Sequence, residues 1–161
     1  MALVLTDMNL TQILPSECVK VPVESKDKES AIRELIDLLE ANPDLSGFDK
    51  KTALEAVMTR EQTRSTGIGS GIAIPHGKCK AVKKLVMSLG IAHEPINFES
   101  IDGKPVKIII LLVSPTDQTG PHIQALAKIS KLMLDAEFKE KLENSKSAQE
   151  AYDLISNKES E

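Results

Sequence analysis

The nine residues "VKIIILLVS", Val106 to Ser114, are almost unbroken in β-branched and apolar side chains. Such a run reads as a strand buried within a sheet, and it restricts the rest of the chain to elements that can cover it. A second run, "LVMSLGIA" from Leu85 to Ala92, reads the same way. Between them Asp102-Gly103 fits a tight turn entering the later strand. "CVKVPV", Cys18 to Val23, alternates apolar and polar residues and predicts a short strand, with Pro22 favouring an edge position.

Helical patterns surround these strands. Ile32, Leu35, Ile36 and Leu39, with Leu38 on the flank, form a broad apolar stripe between about Lys28 and Glu40. "NPDLSGFD" breaks the pattern, and Asp49 can cap a second helix through about Thr59, with Leu54, Val57 and Met58 inward. Arg60 falls near the end of that helix, beside the stripe. "TGPHIQALAKISKLML" has Pro121 suited to a first helical position behind a Thr119 or Gly120 cap. Its expected inward stripe is Ile123, Leu126, Ala127, Ser130, Met133 and Leu134. Ser147 and Glu150 form a capping box ahead of a last helix with Ala151, Leu154 and Ile155 inward. Helices interleaved with short strands imply an α/β sandwich around one sheet.

At 161 residues, with no internal repeat or linker-like tract, the chain is expected to be one domain over 1–156, followed by a solvated tail at 157–161. Three Phe, one Tyr and no Trp leave few platforms for base stacking, and a net charge of −4 offers no attraction to nucleic acid or anionic lipid. No stretch reaches the roughly 20 apolar residues of a membrane helix, and no secretory leader pattern is present. Cys18 and Cys79 are isolated, which suits two reduced thiols in a cytoplasmic protein.

"GIGSGIAIPHGK", residues 67 to 78, is the densest motif. Gly67, Gly69 and Gly71 are spaced GxGxG, Pro75 follows in place of a helix, and Gly77-Lys78 precedes Cys79, so neither nucleotide-binding fingerprint fits. Pro75 fixes its own φ and keeps Ile74 extended, which holds His76 at a strand end. Gly77 allows a backbone or an anion to approach closely, and glycine amides can form an anion-binding nest. Read alone, the segment also suits a tight turn with an incidental histidine.

Two residues elsewhere complete a possible site. His122 lies on the first turn of a predicted helix after a buried strand, where unpaired N–H groups favour an anion. Arg60 offers a planar cationic fork suited to phosphate or carboxylate. His76, His122 and Arg60 together describe a place for a dianion beside an imidazole. Zinc would need ligands that no HxxxH or CxxC pattern supplies, and the lysines flanking Cys79 disfavour a cation beside His76. Gly69-Ser70-Gly71 does not have the spacing of a hydrolase nucleophile elbow. An imidazole that itself attacks phosphorus uses every piece present. Ser65, Thr66 and Ser70 are read as hydroxyls serving local turns. His93 is read as a surface residue at a strand end, and Lys78, Lys80, Lys83 and Lys84 as a solvated basic loop.

"TREQTRSTGIGSGIAIPHGK", with "SPTDQTGPHIQALAKIS" later, resembles the enzyme IIA domain of the fructose/mannitol class of the bacterial phosphoenolpyruvate-dependent sugar phosphotransferase system, a class that includes the nitrogen-regulatory enzyme IIA proteins. The resemblance spans nearly the whole chain. It implies a single mixed β-sheet flanked by helices, and a histidine that takes a phosphoryl group from phospho-HPr and passes it to a cysteine of an enzyme IIB partner. Carried onto this sequence, that histidine is His76, the arginine that neutralises and positions the group is Arg60, and the partner histidine is His122. Positioning and electrostatics supply the catalysis in such a scheme, which requires no cofactor or metal. The resemblance also leaves a regulatory alternative, in which the phosphorylation state of His76 controls binding to kinases, transporters or transcription regulators. The lack of a fused IIB or membrane segment in this sequence motivates that alternative.

Overall fold

A mixed sheet is sandwiched between helices on both faces, as the interleaved pattern requires. The computed structural model describes residues 9–45 and 47–161, so the first residues of the 1–156 domain lie outside the described part. The strands are β1 (Val19–Lys20), β2 (Gly67–Gly69), β3 (Ile72–Ala73), β4 (His76–Lys78), β5 (Val86–Ile96) and β6 (Val106–Ser114). The helices are α1 (Lys28–Leu38), α2 (Lys50–Thr63), α3 (Thr119–Leu132), α4 (Ala136–Glu143) and α5 (Ala148–Glu159). The sheet order is β1-β5-β6-β3-β2, with β4 also paired to β6.

β6 sits at the centre, and like the first part of β5 it is apolar enough to be covered on both sides. It runs antiparallel to β5 and parallel to β3 and β4. Its alternating side chains feed two separate cores. Ile108, Ile110 and Leu112 join Ile72, Ile74, Ala125, Ile129, Phe138 and Ile155 on the α3–α5 side. Ile109, Leu111 and Val113 join Ala31, Ile32, Leu35, Ala53 and Val57 on the α1–α2 side.

The glycine segment is less a flexible lead than a folded hairpin and a strand. β2 and β3 pair antiparallel, and the turn between them places Ser70 at φ 58° and Gly71 at φ 81°. The Asp102 carboxylate accepts from the Ser70 N–H at 3.0 Å and from the Lys104 N–H at 3.0 Å. The nest expected for an outside anion is thus filled at Ser70 by the chain's own aspartate. β3 and β4 keep one register on β6, with Ile72 opposite Ile108 and His76 opposite Leu112. They are one strand broken at Pro75, which has no N–H to give the ladder. The Pro75 carbonyl still accepts from Leu112 at 3.0 Å.

Several sequence expectations shift. β1 is an edge strand as expected, ending at Lys20 ahead of Pro22. Asp49 caps α2 through Thr52, but the helix runs to Thr63 and buries Ala53, Val57 and Glu61, with Leu54 and Met58 only partly covered. α3 starts at Thr119 behind Gln118, so Pro121 is its third residue. Its buried face is His122, Ala125, Ile129 and Leu132, while Ile123 and Leu134 are 58% and 84% exposed. α4 was not anticipated from the residue pattern, and it buries only Phe138 and Leu142. In α5 Ser147 accepts from the Glu150 N–H as expected, but the Glu150 carboxylate accepts from Lys146 rather than closing the box on Ser147. The tail expected at 157–161 is helical through Glu159 and anchored. Glu159 accepts from the Leu10 and Thr11 N–H groups, and Lys158 pairs with Asp135 at 2.6 Å. Among the described residues no helix is long and apolar enough to cross a membrane.

Candidate active site

The strand register determines where His76 points. Ile72, Ile74 and His76 lie in one row of the interrupted strand, on the side that α3 covers. In this row the apolar core ends and His76 begins, half-buried as the first residue of β4. α3 begins directly above it and turns His122 inward, leaving that residue 4% exposed. The two imidazoles are 5.3 Å apart between centroids and inclined by 59°.

Each ring is held by one nitrogen. His76 Nδ1 lies 2.6 Å from the Ile74 carbonyl oxygen. A carbonyl only accepts, so Nδ1 carries the proton and Nε2 keeps its lone pair. Burial pushes the His76 pKa below the ordinary value, against the Ile74 hydrogen bond, which raises it; the Arg60 and Lys78 charges lower it further and Glu61 raises it. His122 Nδ1 lies 2.7 Å from the buried Ser114 Oγ. Burial, then the His76 and Lys78 charges, lower the His122 pKa from 6.5 to about 4. Both rings are therefore neutral near pH 7, within a positive field from Arg60 and Lys78. That combination suits an anion approaching an unprotonated nitrogen.

Arg60 reaches His76 through its charge. An Nη1–H donates to the Arg64 carbonyl at 2.8 Å, which commits one of the five guanidinium N–H donors to the end of its own helix. The helix itself is pressed onto β4. A Cβ at Gly77 would stand 3.0 Å from Ala56 C and Val57 N, so a side chain there would push α2 away. The close backbone approach anticipated for Gly77 is that of α2. Glu61, buried beside Arg60, accepts from the Thr66 N–H at 2.9 Å and from its hydroxyl, and pairs with Lys28 at 2.8 Å. This fastens the end of α2 to the start of the glycine segment.

Sequence reasoning left three neighbours without a role. Lys78 donates to Thr119 Oγ1 at 3.1 Å, across the mouth between β4 and α3. Glu61 carried no periodic signal because it occupies an inward position that apolar residues usually fill. Ser114 could have been found, since alternation from Ile108 through Ile110 and Leu112 ends on it. His93 lies within β5 and its Nε2 is 2.9 Å from the Ser145 carbonyl. Cys79 is buried and its thiol pKa is raised, first by that burial, which suits an inert structural cysteine. Among the described residues no group of three or more His, Cys, Asp or Glu could hold a metal ion.

His76, on the strand segment parallel to β6, and His122, on the helix that follows β6, meet at this end of the sheet. The family profile described as "Phosphoenolpyruvate-dependent sugar phosphotransferase system, EIIA 2" matches residues 12–158, and the chain belongs to that family. It is 32% identical over 148 residues to the "PTS system fructose-specific EIIABC component" of Bacillus subtilis (strain 168), covering 92% of this chain and 23% of that protein. The chain thus spans about a quarter of that relative's length. It is 34% identical over 155 residues to the "Nitrogen regulatory protein" of Escherichia coli (strain K12), covering 96% of this chain and 93% of that one. Among solved structures, the nitrogen regulatory protein IIA-Ntr from Neisseria meningitidis aligns with a TM-score of 0.78 at 33% identity, over 89% of this chain and 97% of that one. The single mixed sheet with helices on both faces is the fold that the family resemblance implied.

Proposed function

We propose that this chain is a cytoplasmic phosphocarrier in which Nε2 of His76 accepts a phosphoryl group from phospho-HPr. The observation that carries the reading is the Ile74 carbonyl on Nδ1, which leaves Nε2 as the free base beside His122. The Nε2 lone pair attacks phosphorus, the N–P bond forms as the donor's bond to phosphorus breaks, and the leaving pair stays on the donor. Arg60 and Lys78 offset the charge of the arriving group, and His122 lines its other side. In the onward step a cysteine thiolate of an enzyme IIB partner attacks the same phosphorus, and the N–P pair returns to Nε2, serving sugar uptake.

The similarity to nitrogen regulatory proteins over nearly their whole length favours a second use of the same chemistry. There the phosphorylation state of His76 governs docking to regulatory targets. Both uses require His76 to be the acceptor. Intact-mass spectrometry after incubation with phosphoenolpyruvate, enzyme I and HPr should show one gain of about 80 Da. The gain is lost in acid and absent in His76→Ala. A variant that still takes up the group would overturn the assignment. A wild-type chain that then loses its phosphoryl group to no IIB protein, yet binds a partner in one form only, would favour the regulatory use.

A further inference from the structure

Ser114 ends the apolar row of β6 that faces α3, and it is wholly buried. A hydroxyl in such a place costs stability unless it is paired. Among the described residues its one partner is His122 Nδ1, at 2.7 Å. Two proton arrangements fit that distance. If Nδ1 donated, the serine hydrogen would be buried with nothing to accept it. If the hydroxyl donates into the Nδ1 lone pair, its hydrogen is used and only acceptor capacity is left over, which is the less costly arrangement. A neutral imidazole has a single N–H, and this bond then keeps it on Nε2.

We propose that Ser114 is a positioning residue whose hydroxyl donates to His122 Nδ1 and holds His122 as the Nε2–H tautomer at the mouth of the site. Nε2 has no hydrogen-bond partner among the described residues, and Ser100 Oγ is the only buried side-chain nitrogen or oxygen left without one. His122 Nε2 is therefore open to the site rather than sealed in the core. With the proton there, the ring presents a neutral donor beside His76, whereas the other tautomer would present a lone pair to an arriving anion. The donor's ligand rests on the phosphoryl reading above, but the tautomer does not, so the two can be tested apart.

The tautomer is read from the two ring-nitrogen shifts of His122 in ¹⁵N-labelled full-length chain near neutral pH. The wild type should show a protonated Nε2 and an unprotonated Nδ1. Ser114→Ala should mix the tautomers or move the proton to Nδ1, Ser114→Thr should restore the wild-type pattern, and the nearly isosteric Ser114→Cys, a weaker donor, should fall between. The rate of phosphoryl uptake should drop about tenfold in Ser114→Ala, the worth of one good hydrogen bond, and recover with Thr or partly with Cys. A wild-type proton on Nδ1 would overturn the proposal. So would a Ser114→Ala chain that is slow while its tautomer is unchanged, because the serine would then act only by packing. If the tautomer behaves as expected but even the wild type takes up no phosphoryl group, the tautomer assignment is supported and the phosphocarrier reading fails.

Discussion

Replacing Gly77 with alanine inserts one methyl group between β4 and α2. The added Cβ falls 3.0 Å from Ala56 C, 3.0 Å from Val57 N and 3.2 Å from Ala56 O. Unstrained contacts of this kind lie at about 3.5 Å or more, so a gap of roughly half an ångström must open. All three atoms are helix backbone, and no side-chain rotation can relieve them. Overpacking costs about 1–3 kcal/mol, and the rigidity of the neighbour puts this case near the upper end. Alanine also restricts the unfolded chain, which returns about 0.4–1 kcal/mol. The clash wins, with a net loss of about 2 kcal/mol. For a chain of 161 residues this lowers Tm by about 4–8 °C. Thermal unfolding followed by circular dichroism measures it, with Gly120→Ala as control, because nothing stands within 4 Å of a Cβ built at Gly120. A Gly77→Ala Tm equal to that of the wild type would refute the claim that α2 rests on the backbone of β4.

Two further outcomes follow from the buried polar groups. Glu61→Ala leaves the Thr66 N–H and hydroxyl without their acceptor and Lys28 without its buried partner. It should cost about 3 kcal/mol in urea unfolding, and a loss below about 1 kcal/mol would mean that water replaces the carboxylate readily. His122, whose pKa falls from 6.5 to about 4, should make stability pH-dependent in a known direction. Between those values the unfolded chain binds a proton there before the native chain does, so native stability falls as pH drops through the window and levels off below it. The full shift corresponds to about 3 kcal/mol. The difference in unfolding free energy between wild type and His122→Gln should shrink by that order from neutral pH to pH about 4, whereas parallel curves would mean that His122 titrates normally.

The central strand was legible to the residue because burial on both faces leaves a single sequence signature, an apolar run that ends where cover ends. α3 was legible as a helix but was rotated. Ile123 and Leu126 suggest one inward face, yet the helix turns His122 and Ala125 inward instead. At the site the packed residue beside β6 must be small or polar, so hydrophobic periodicity points the wrong way there. α4 was hidden for a related reason, since two apolar anchors among charged residues carry too little periodicity to register. His76 and His122 could be singled out because a histidine after a proline-stiffened strand and one on the first turn of a helix both lie where α/β sheets gather ligands. Their proximity, and Ser114 between strand and helix, could be seen only once the register was known.

That register explains why the site lies at this end of the sheet. β3 and β4 share one alignment on β6, so the row Ile72, Ile74, His76 runs beside the row Ile108, Ile110, Leu112, Ser114. Both rows are apolar until their last member and both end on a polar side chain under the start of α3. There His76 takes up the Ile74 carbonyl and Ser114 takes up His122, so each polar terminus is satisfied within the chain. After those bonds one nitrogen of each ring remains, Nε2 of His76 and Nε2 of His122. A slip of one residue in either strand would turn His76 or Ser114 to the α2 side and separate the rings. The long apolar run of β6 therefore does more than build the core, because by fixing the register it brings two uncommitted ring nitrogens to one opening.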